Sequence, residues 1–457
     1  MAITRSGSQD MGSGSVKKLM VQMAVPAVVA QVINLLYNIV DRIYIGHIPG
    51  IGGTALTGVG LFAPILMLIT AFAMLPGSGG APRAAIAMGQ QDNDKAEKIM
   101  ANCFTVELLL AAVLTAAFYL WLPGLVRLFG GSDATLPYAV EYGRIYVLGS
   151  VFVLIVMGMN VFITAQGFSK ISMLTTVIGA VINIILDPIF IFVFDMGVSG
   201  AALATVLSQA VSALWILKFL TGSKAVLRLK ARNMPLRRPI IMPALALGAS
   251  TFIMLSTESI LSVSFTSSLA RYGGDVAVGA MTVLTSLNQL ISMPLSGICQ
   301  GGQPIISYNY GAGKLKRVKE AFLCQFLACT AYSTCFWLLI LLLPDVFAGI
   351  FTSDQALVAY TGWAMRIFLA GCFSVGIQIG CQQTFMALGQ AKMTMFMACL
   401  RKLILLIPLI FLLPLFFENK AFAVFLAEPV SDITAALITF TAFVTFFKKL
   451  LKEGKGA

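Results

Sequence analysis

Apolar stretches of about 20 residues recur along the whole chain, each long enough to cross some 30 Å of hydrocarbon, with short polar loops between them. The pattern predicts twelve transmembrane helices near 20–46, 54–78, 99–122, 138–165, 171–194, 199–220, 241–269, 277–299, 318–343, 358–385, 393–417 and 421–447. An even number of spans puts both termini on one side of the membrane. Of the 31 Lys and Arg, only Arg42, Arg127, Arg144, Arg271, Arg366 and Lys420 fall away from that side. The densest basic clusters, Lys224–Arg238, Lys314–Lys319 and Lys448–Lys455, all lie on it. The positive-inside rule therefore makes the N- and C-termini cytoplasmic.

A repeat organises the spans. Gly79-Gly80-Ala81-Pro82, followed by Gly89, returns 222 residues later as Gly301-Gly302-Gln303-Pro304, followed by Gly311. Ala165, Gly167, Lys170 and Met173 return at the same offset as Ala387, Gly389, Lys392 and Met395. Pro123 with Ser132-Asp133 returns one residue out of step as Pro344 with Ser353-Asp354. Six spans separate the members of each pair, so they share a side, and the halves are parallel repeats about an axis along the membrane normal. The expected fold is all-α and polytopic, with twelve transmembrane helices in two pseudo-symmetric six-helix bundles. Residues 18–220 form the N-lobe and 241–447 the C-lobe. A disordered cytoplasmic N-terminus (1–17), a basic cytoplasmic linker (221–240) and a cytoplasmic tail (448–457) complete the division.

Composition narrows the function classes. The chain is 58% hydrophobic and only 11% charged, with a mean hydropathy of +0.91, against roughly 25% charged residues in soluble domains. The net charge of +12 is explained by the cytoplasmic loops, so it does not imply nucleic acid. The eight cysteines sit mostly in apolar segments without CxxC spacing and read as packed free thiols. The single histidine, His47, leaves little for metal or nucleophile chemistry. The polar, Gly/Ser-rich opening has no apolar core of a signal peptide.

The candidate chemistry lies inside the spans, where ionisable residues are costly and mark function by default. Asp41, Asp187, Glu258 and Asp432 stand out, with Glu107 and Glu428 behind them. Gln31, Asn34, Asn38 and Asp41 fall at helical spacing on one face of the first span. Asn183 and Asp187 share a face of the fifth, and the sixth carries Thr205, Ser208 and Gln209. Counted from the outer helix ends, Asp41, Asp187 and Thr205 lie roughly 8, 10 and 9 Å deep, with Tyr142 slightly shallower. Such a group suits Na⁺ through hard oxygen ligands (Asp41, Asn183, Asp187, Thr205), or H⁺ through paired carboxylates. The competing explanation is that these polar groups join helices. The offset of 222 places Val263, Leu405 and Leu409 opposite Asp41, Asn183 and Asp187, which confines this chemistry to the N-lobe. In the C-lobe Glu258 is the candidate for attracting a cationic substrate, with Gln289 and Gln378 on polar faces beside it. Pro26 removes a hydrogen bond inside the first span, where a kink is expected.

These residues bring a family into view. The run Tyr37-Asn38-Ile39-Val40-Asp41-Arg42, the loop Gly79–Gly89, the segments from Asn183 to Pro188 and from Gly200 to Thr205, and Gly301–Gly311 together resemble the multidrug and toxic compound extrusion (MATE) family, most like its bacterial MepA-like branch. The resemblance covers nearly the whole chain. It implies a V-shaped pair of six-helix bundles in a bacterial inner membrane. It also implies export of small organic cations in exchange for H⁺ or Na⁺, without a further cofactor or an obligate protein partner, by a monomer. Positions matching Asp41, Asn183, Asp187 and Thr205 form the cation site in relatives that use the N-lobe, with a tyrosine matching Tyr142 beside it. Another branch uses acids in the seventh and tenth spans. Glu258 matches the former, but the tenth span here has no Asp or Glu.

Two other functions compete. A flippase for lipids or lipid-linked glycans on this architecture would line its cavity with cations for pyrophosphate, and Arg42, Arg144, Arg366, Arg401 and Lys402 are expected mostly near span ends. A membrane enzyme such as an acyltransferase would need a buried His or a metal cluster. No GxxxxGK[ST] pattern supports ATP hydrolysis.

Overall fold

A computed structural model describes residues 10–351 and 355–453. Residues 1–9, Ser353-Asp354 of the third repeat pair and the last four residues of the tail lie outside the described residues.

The helices begin as their caps dictate. Ser15 accepts from the Lys18 N–H at 3.5 Å to open α1 (Val16–Gly46), and Asp92 accepts from the Lys95 N–H at 2.9 Å to open α3 (Asn93–Leu128). Between them runs α2 (Gly52–Gly89). The fourth span is a bent pair, α4 (Leu136–Leu148) and α5 (Ser150–Ala165). The fifth is α6 (Ser169–Pro188) continued by a π-turn (Ile189–Val193), and the sixth is α7 (Gly197–Thr221). Next comes α8 (Arg238–Gly311), whose 74 residues would stretch about 110 Å if straight. Gly274, at φ 66° and ψ −165°, breaks it into the seventh and eighth spans with a conformation open essentially to glycine alone.

The ninth span is α9 (Leu315–Leu342), followed by the short α10 (Pro344–Phe351). A second bent pair, α11 (Gln355–Phe368) and α12 (Cys372–Ala387), makes the tenth. The eleventh combines α13 (Ala391–Cys399), a π-helical turn (Leu400–Leu406) and α14 (Ile407–Leu412); the twelfth is α15 (Lys420–Glu453). With the break at Gly274 and each bent pair taken as one span, twelve crossings result.

The repeat is built into the packing. Glycines 222 residues apart, Gly149 and Gly371, sit at the two bends, of 56° and 47°. At each, a side chain would collide with the lobe's last span: with Val206 at 2.4 Å in one lobe, and with Pro429 at 2.8 Å in the other. Between the lobes, a Cβ on Gly89 would lie 2.0 Å from the Tyr308 carbonyl, and one on Gly311 would lie 2.0 Å from the Ile86 carbonyl. The offset converts one of these pairs into the other, as a two-fold axis between the lobes requires. Gly79 against Ala244, and Gly301 against Ala24, repeat the exchange further along. These contacts lie in the half of the protein that carries both termini, and Gln31 adds an amide contact to Gln300 at 3.3 Å.

The N-terminal segment differs from the sequence-based expectation. Residues 10–15 are docked rather than free: Arg317 donates to the carbonyls of Gly14 at 2.7 Å, Ser13 at 2.9 Å and Met11 at 3.2 Å, and Lys314 donates to Gly12 at 2.7 Å. The Ser13 hydroxyl, with the Gly12 N–H, holds the Asp10 carboxyl below its ordinary range. Met11 is buried, which explains why this polar stretch settles. The basic linker lies on the N-lobe. Lys230 pairs with Glu97 at 2.6 Å, the Leu227 N–H donates to Gln166 at 2.7 Å, and Asn102 bonds backbone at Asn233 and Arg237. The expected tail is helical through Lys452, as a continuation of α15.

Candidate functional site

In the N-lobe, α1, α4, α6 and α7 converge on a buried polar group. Asn183 and Asp187 lie one turn apart on α6, and the Asn183 amide donates to Asp187 Oδ1 at 3.2 Å and to Thr205 Oγ1 at 3.4 Å. The Thr205 hydroxyl donates back to the Ala201 carbonyl at 3.0 Å, which fixes its oxygen toward the site. Asp41 enters from α1 with its carboxyl within hydrogen-bonding reach of Asp187. The Tyr142 side chain, from α4, stands beside Thr205, and its ring packs edge-on against Phe62. Pro188 follows Asp187 directly; lacking an N–H, it ends the regular α ladder, and the chain continues as a π-turn in which Phe194 bonds Ile189 at 2.9 Å.

The acceptors exceed the donors. Asp41 Oδ1, Asp187 Oδ2 and Asn183 Oδ1 are buried without a hydrogen-bond partner, although Asp187 is fully buried and Asn183 nearly so. Two carboxylates facing each other cannot share a hydrogen bond unless a proton lies between them. Such a group can take up a proton or a cation.

The remaining expected N-lobe residues divide. Asn38 is turned away from the group: it is exposed, and its amide donates to the Asn34 carbonyl of its own helix at 2.6 Å. Tyr37, absent from the expected set, stands near both carboxylates. It also lines, with Gln31, Asn34, Asn160 and Gln209, a cavity that reaches Gln300 of the other lobe and that neither carboxylate lines.

The C-lobe holds a different arrangement. Glu258 and Gln289 line a cavity with Phe265, Phe368, Met281 and Asn288. Glu258 is not a free acid, because Lys402 pairs with it. Arg401 bridges Asp432 at 2.6 Å and Glu428 at 3.2 Å. Arg401 and Lys402 thus lie deep in the eleventh span, in its π-helical turn, and not near its end as expected. Charge pairing made that depth tolerable, which hydropathy along the chain does not register. Gln378 is buried and is not among the cavity residues. It belongs to α12, which the bend after Phe368 re-aims relative to α11, so a straight-helix face does not carry over. The cysteines are free, as expected.

A pair of parallel six-helix bundles with a polar group inside one of them defines a multi-pass membrane transporter. The family model MatE matches residues 26–189 and 249–412, one stretch in each lobe, and the chain belongs to that family. The multidrug export protein MepA of Staphylococcus aureus (strain N315) is 23% identical over 425 residues, covering 93% of both chains. MepA of Staphylococcus saprophyticus is 23% identical over 428 residues, 93% of this chain and 94% of that one. Among solved structures, an outward-facing multidrug resistance MATE family transporter aligns with a TM-score of 0.90 at 22% identity, covering 98% of this chain and 99% of that one. A MATE structure in the bent conformation aligns at 0.91 and 23%, covering 97% and 98%. A Pyrococcus furiosus transporter of the MOP superfamily, described as having a binding pocket of reverse polarity, aligns at 0.90 and 21%, covering 98% and 99%.

Proposed function

We propose that this protein is a secondary active multidrug exporter that expels lipophilic organic cations in exchange for inward H⁺ or Na⁺, coupled at Asp41 and Asp187. The observation that carries the reading is the set of three buried, unpartnered oxygens on Asp41, Asp187 and Asn183. A bound proton, or a Na⁺ ion shared with Thr205, completes them. Tyr37 stands near both carboxylates and also lines the neighbouring cavity, so that drug and ion act on the same helices. The glycine contacts between the lobes close the cytoplasmic half, and rocking about the two-fold axis alternates access. The relatives named multidrug export proteins support this substrate range. The positive-inside pattern supports cytoplasmic termini in a bacterial inner membrane.

A lipid or glycan-lipid flippase is the second reading. Its requirement for cavity cations meets Arg401 and Lys402, but three acids engage both. That self-neutralisation disfavours pyrophosphate and favours the exporter.

The test is ethidium transport in proteoliposomes with ΔpH and ΔNa⁺ imposed separately. Export driven by one of the two gradients is expected. Transport that responds to neither gradient while ATP supports it overturns the coupling.

A further inference from the structure

The C-lobe cavity contains a carboxylate that already has a cation. Glu258 presents 49% of its side chain to the cavity, whereas Lys402, which pairs with it, is 7% exposed. The ammonium reaches Glu258 Oε1 from the wall, and the Met254 carbonyl accepts from it behind at 2.8 Å. Its neighbour Arg401 is divided between two acids, Asp432 and Glu428. Among the described residues Lys402 has a single carboxylate partner, Glu258, reached on a flexible stem. Around Glu258 stand Phe265 and Phe368, whose rings suit a flat organic cation, with Met281 as adaptable apolar filler.

We infer that Lys402 is a built-in competitor for the substrate's positive charge: a lipophilic organic cation binds the C-lobe cavity by taking Glu258 from the Lys402 ammonium, which returns when the cation leaves. The inference rests on the cation-export reading. Two cations on one carboxylate repel each other, so arrival of the substrate weakens the Lys402 pair. Glu428, whose charge reaches Lys402, offers the displaced ammonium a second acid within the same cluster. Two consequences follow for transport. The empty cavity is never left with an uncompensated carboxylate while the lobes move. The substrate is held less tightly than by a bare carboxylate, which favours its release. A neutral amphiphile gains nothing from Glu258 and cannot displace the lysine, so Lys402 sets charge selectivity.

The test is ethidium binding by fluorescence anisotropy to the purified full-length protein in nanodiscs. Lys402→Met removes the competitor, and ethidium is expected to bind about tenfold tighter, a gain of ~1.4 kcal/mol. Glu258→Gln is expected to weaken binding about tenfold, and the Glu258→Gln/Lys402→Met pair should bind as Glu258→Gln does, without any gain. Lys402→Arg keeps the charge and holds the carboxylate with a fork of donors, so ethidium should bind more weakly; this variant decides the matter if Lys402→Met is not monodisperse. Equal or weaker binding by Lys402→Met, or equal or tighter binding by Lys402→Arg, overturns the inference. Failure of the wild type to bind ethidium at all would instead overturn the cation-export reading on which it rests.

Discussion

The two lobes share a backbone plan and divide the chemistry between them. In the N-lobe, Asp41 and Asp187 face each other among an amide, a hydroxyl and a phenol, and three oxygens stay unpartnered. In the C-lobe, three acids are held by Arg401 and Lys402. The exclusion is reciprocal. The C-lobe has Val263, Leu405 and Leu409 where the N-lobe has Asp41, Asn183 and Asp187. The N-lobe has Leu36, Gly179 and Ala180 where the C-lobe has Glu258, Arg401 and Lys402. The fold's two-fold symmetry is therefore carried by glycine contacts and bends, and it does not require symmetric charges. An acid with no ion pair is free to take up a proton or an outside cation, whereas an acid with an internal cation is already neutralised.

The sharpest way to break this contrast is to remove the internal cation. Arg401→Met leaves Glu428 and Asp432 buried without a partner and is expected to cost about 3–5 kcal/mol of stability, read as a fall in the thermal unfolding midpoint. Adding Glu428→Gln and Asp432→Asn should restore most of it. If Arg401→Met unfolds like the wild type, the C-lobe acids are not held by that pairing.

A smaller effect is expected when the N-lobe site receives its C-lobe counterpart. Asn183→Leu removes both hydrogen bonds from the amide and should weaken ion affinity about thirtyfold, in line with roughly 1 kcal/mol for each net hydrogen bond. Binding of ²²Na⁺, or drug-triggered proton release, measures it. Undiminished affinity would remove Asn183 from the ion group.

The smallest effect belongs to Asn38. Its amide is exposed and bonded to its own helix, so Asn38→Ala should change stability and transport by no more than about 0.5 kcal/mol. A loss of export comparable to that of the aspartates would show that Asn38 swings into the site in another state.

Much of this was legible along the chain, and what was not has identifiable causes. The offset of 222 located the two-fold relation, because glycines that permit close backbone approach cannot be exchanged for other residues without a clash. Asp41, Asp187 and Thr205 could be set at one depth by counting, since helices fix rise per residue. Tyr37 is not legible as a site residue because hydropathy treats a phenol as nearly apolar, although it stands one turn before Asp41. Helical spacing put Asn38 on the Asp41 face, but its amide instead donates to the carbonyl one turn before it in its own helix. Arg401 and Lys402 escaped as mid-span charges because their cost is cancelled by partners on other helices, which no local window contains. The bends at Gly149 and Gly371 and both π-turns depend likewise on contacts between spans.

The central claim is that the N-lobe acids couple ion to drug, and its most direct measurement is the gradient dependence of drug exchange in proteoliposomes containing Asp41→Asn or Asp187→Asn. Reciprocal linkage gives ion and drug a shared coupling free energy of about 1–3 kcal/mol. An amide that cannot take up a proton, and that neutralises Na⁺ poorly, should remove it. Both variants are expected to fold and to exchange ethidium down its own gradient, while an imposed ΔpH or ΔNa⁺ no longer drives accumulation as it does for the wild type. Accumulation that still follows the ion gradient in either variant would contradict the assignment of the coupling site to Asp41 and Asp187.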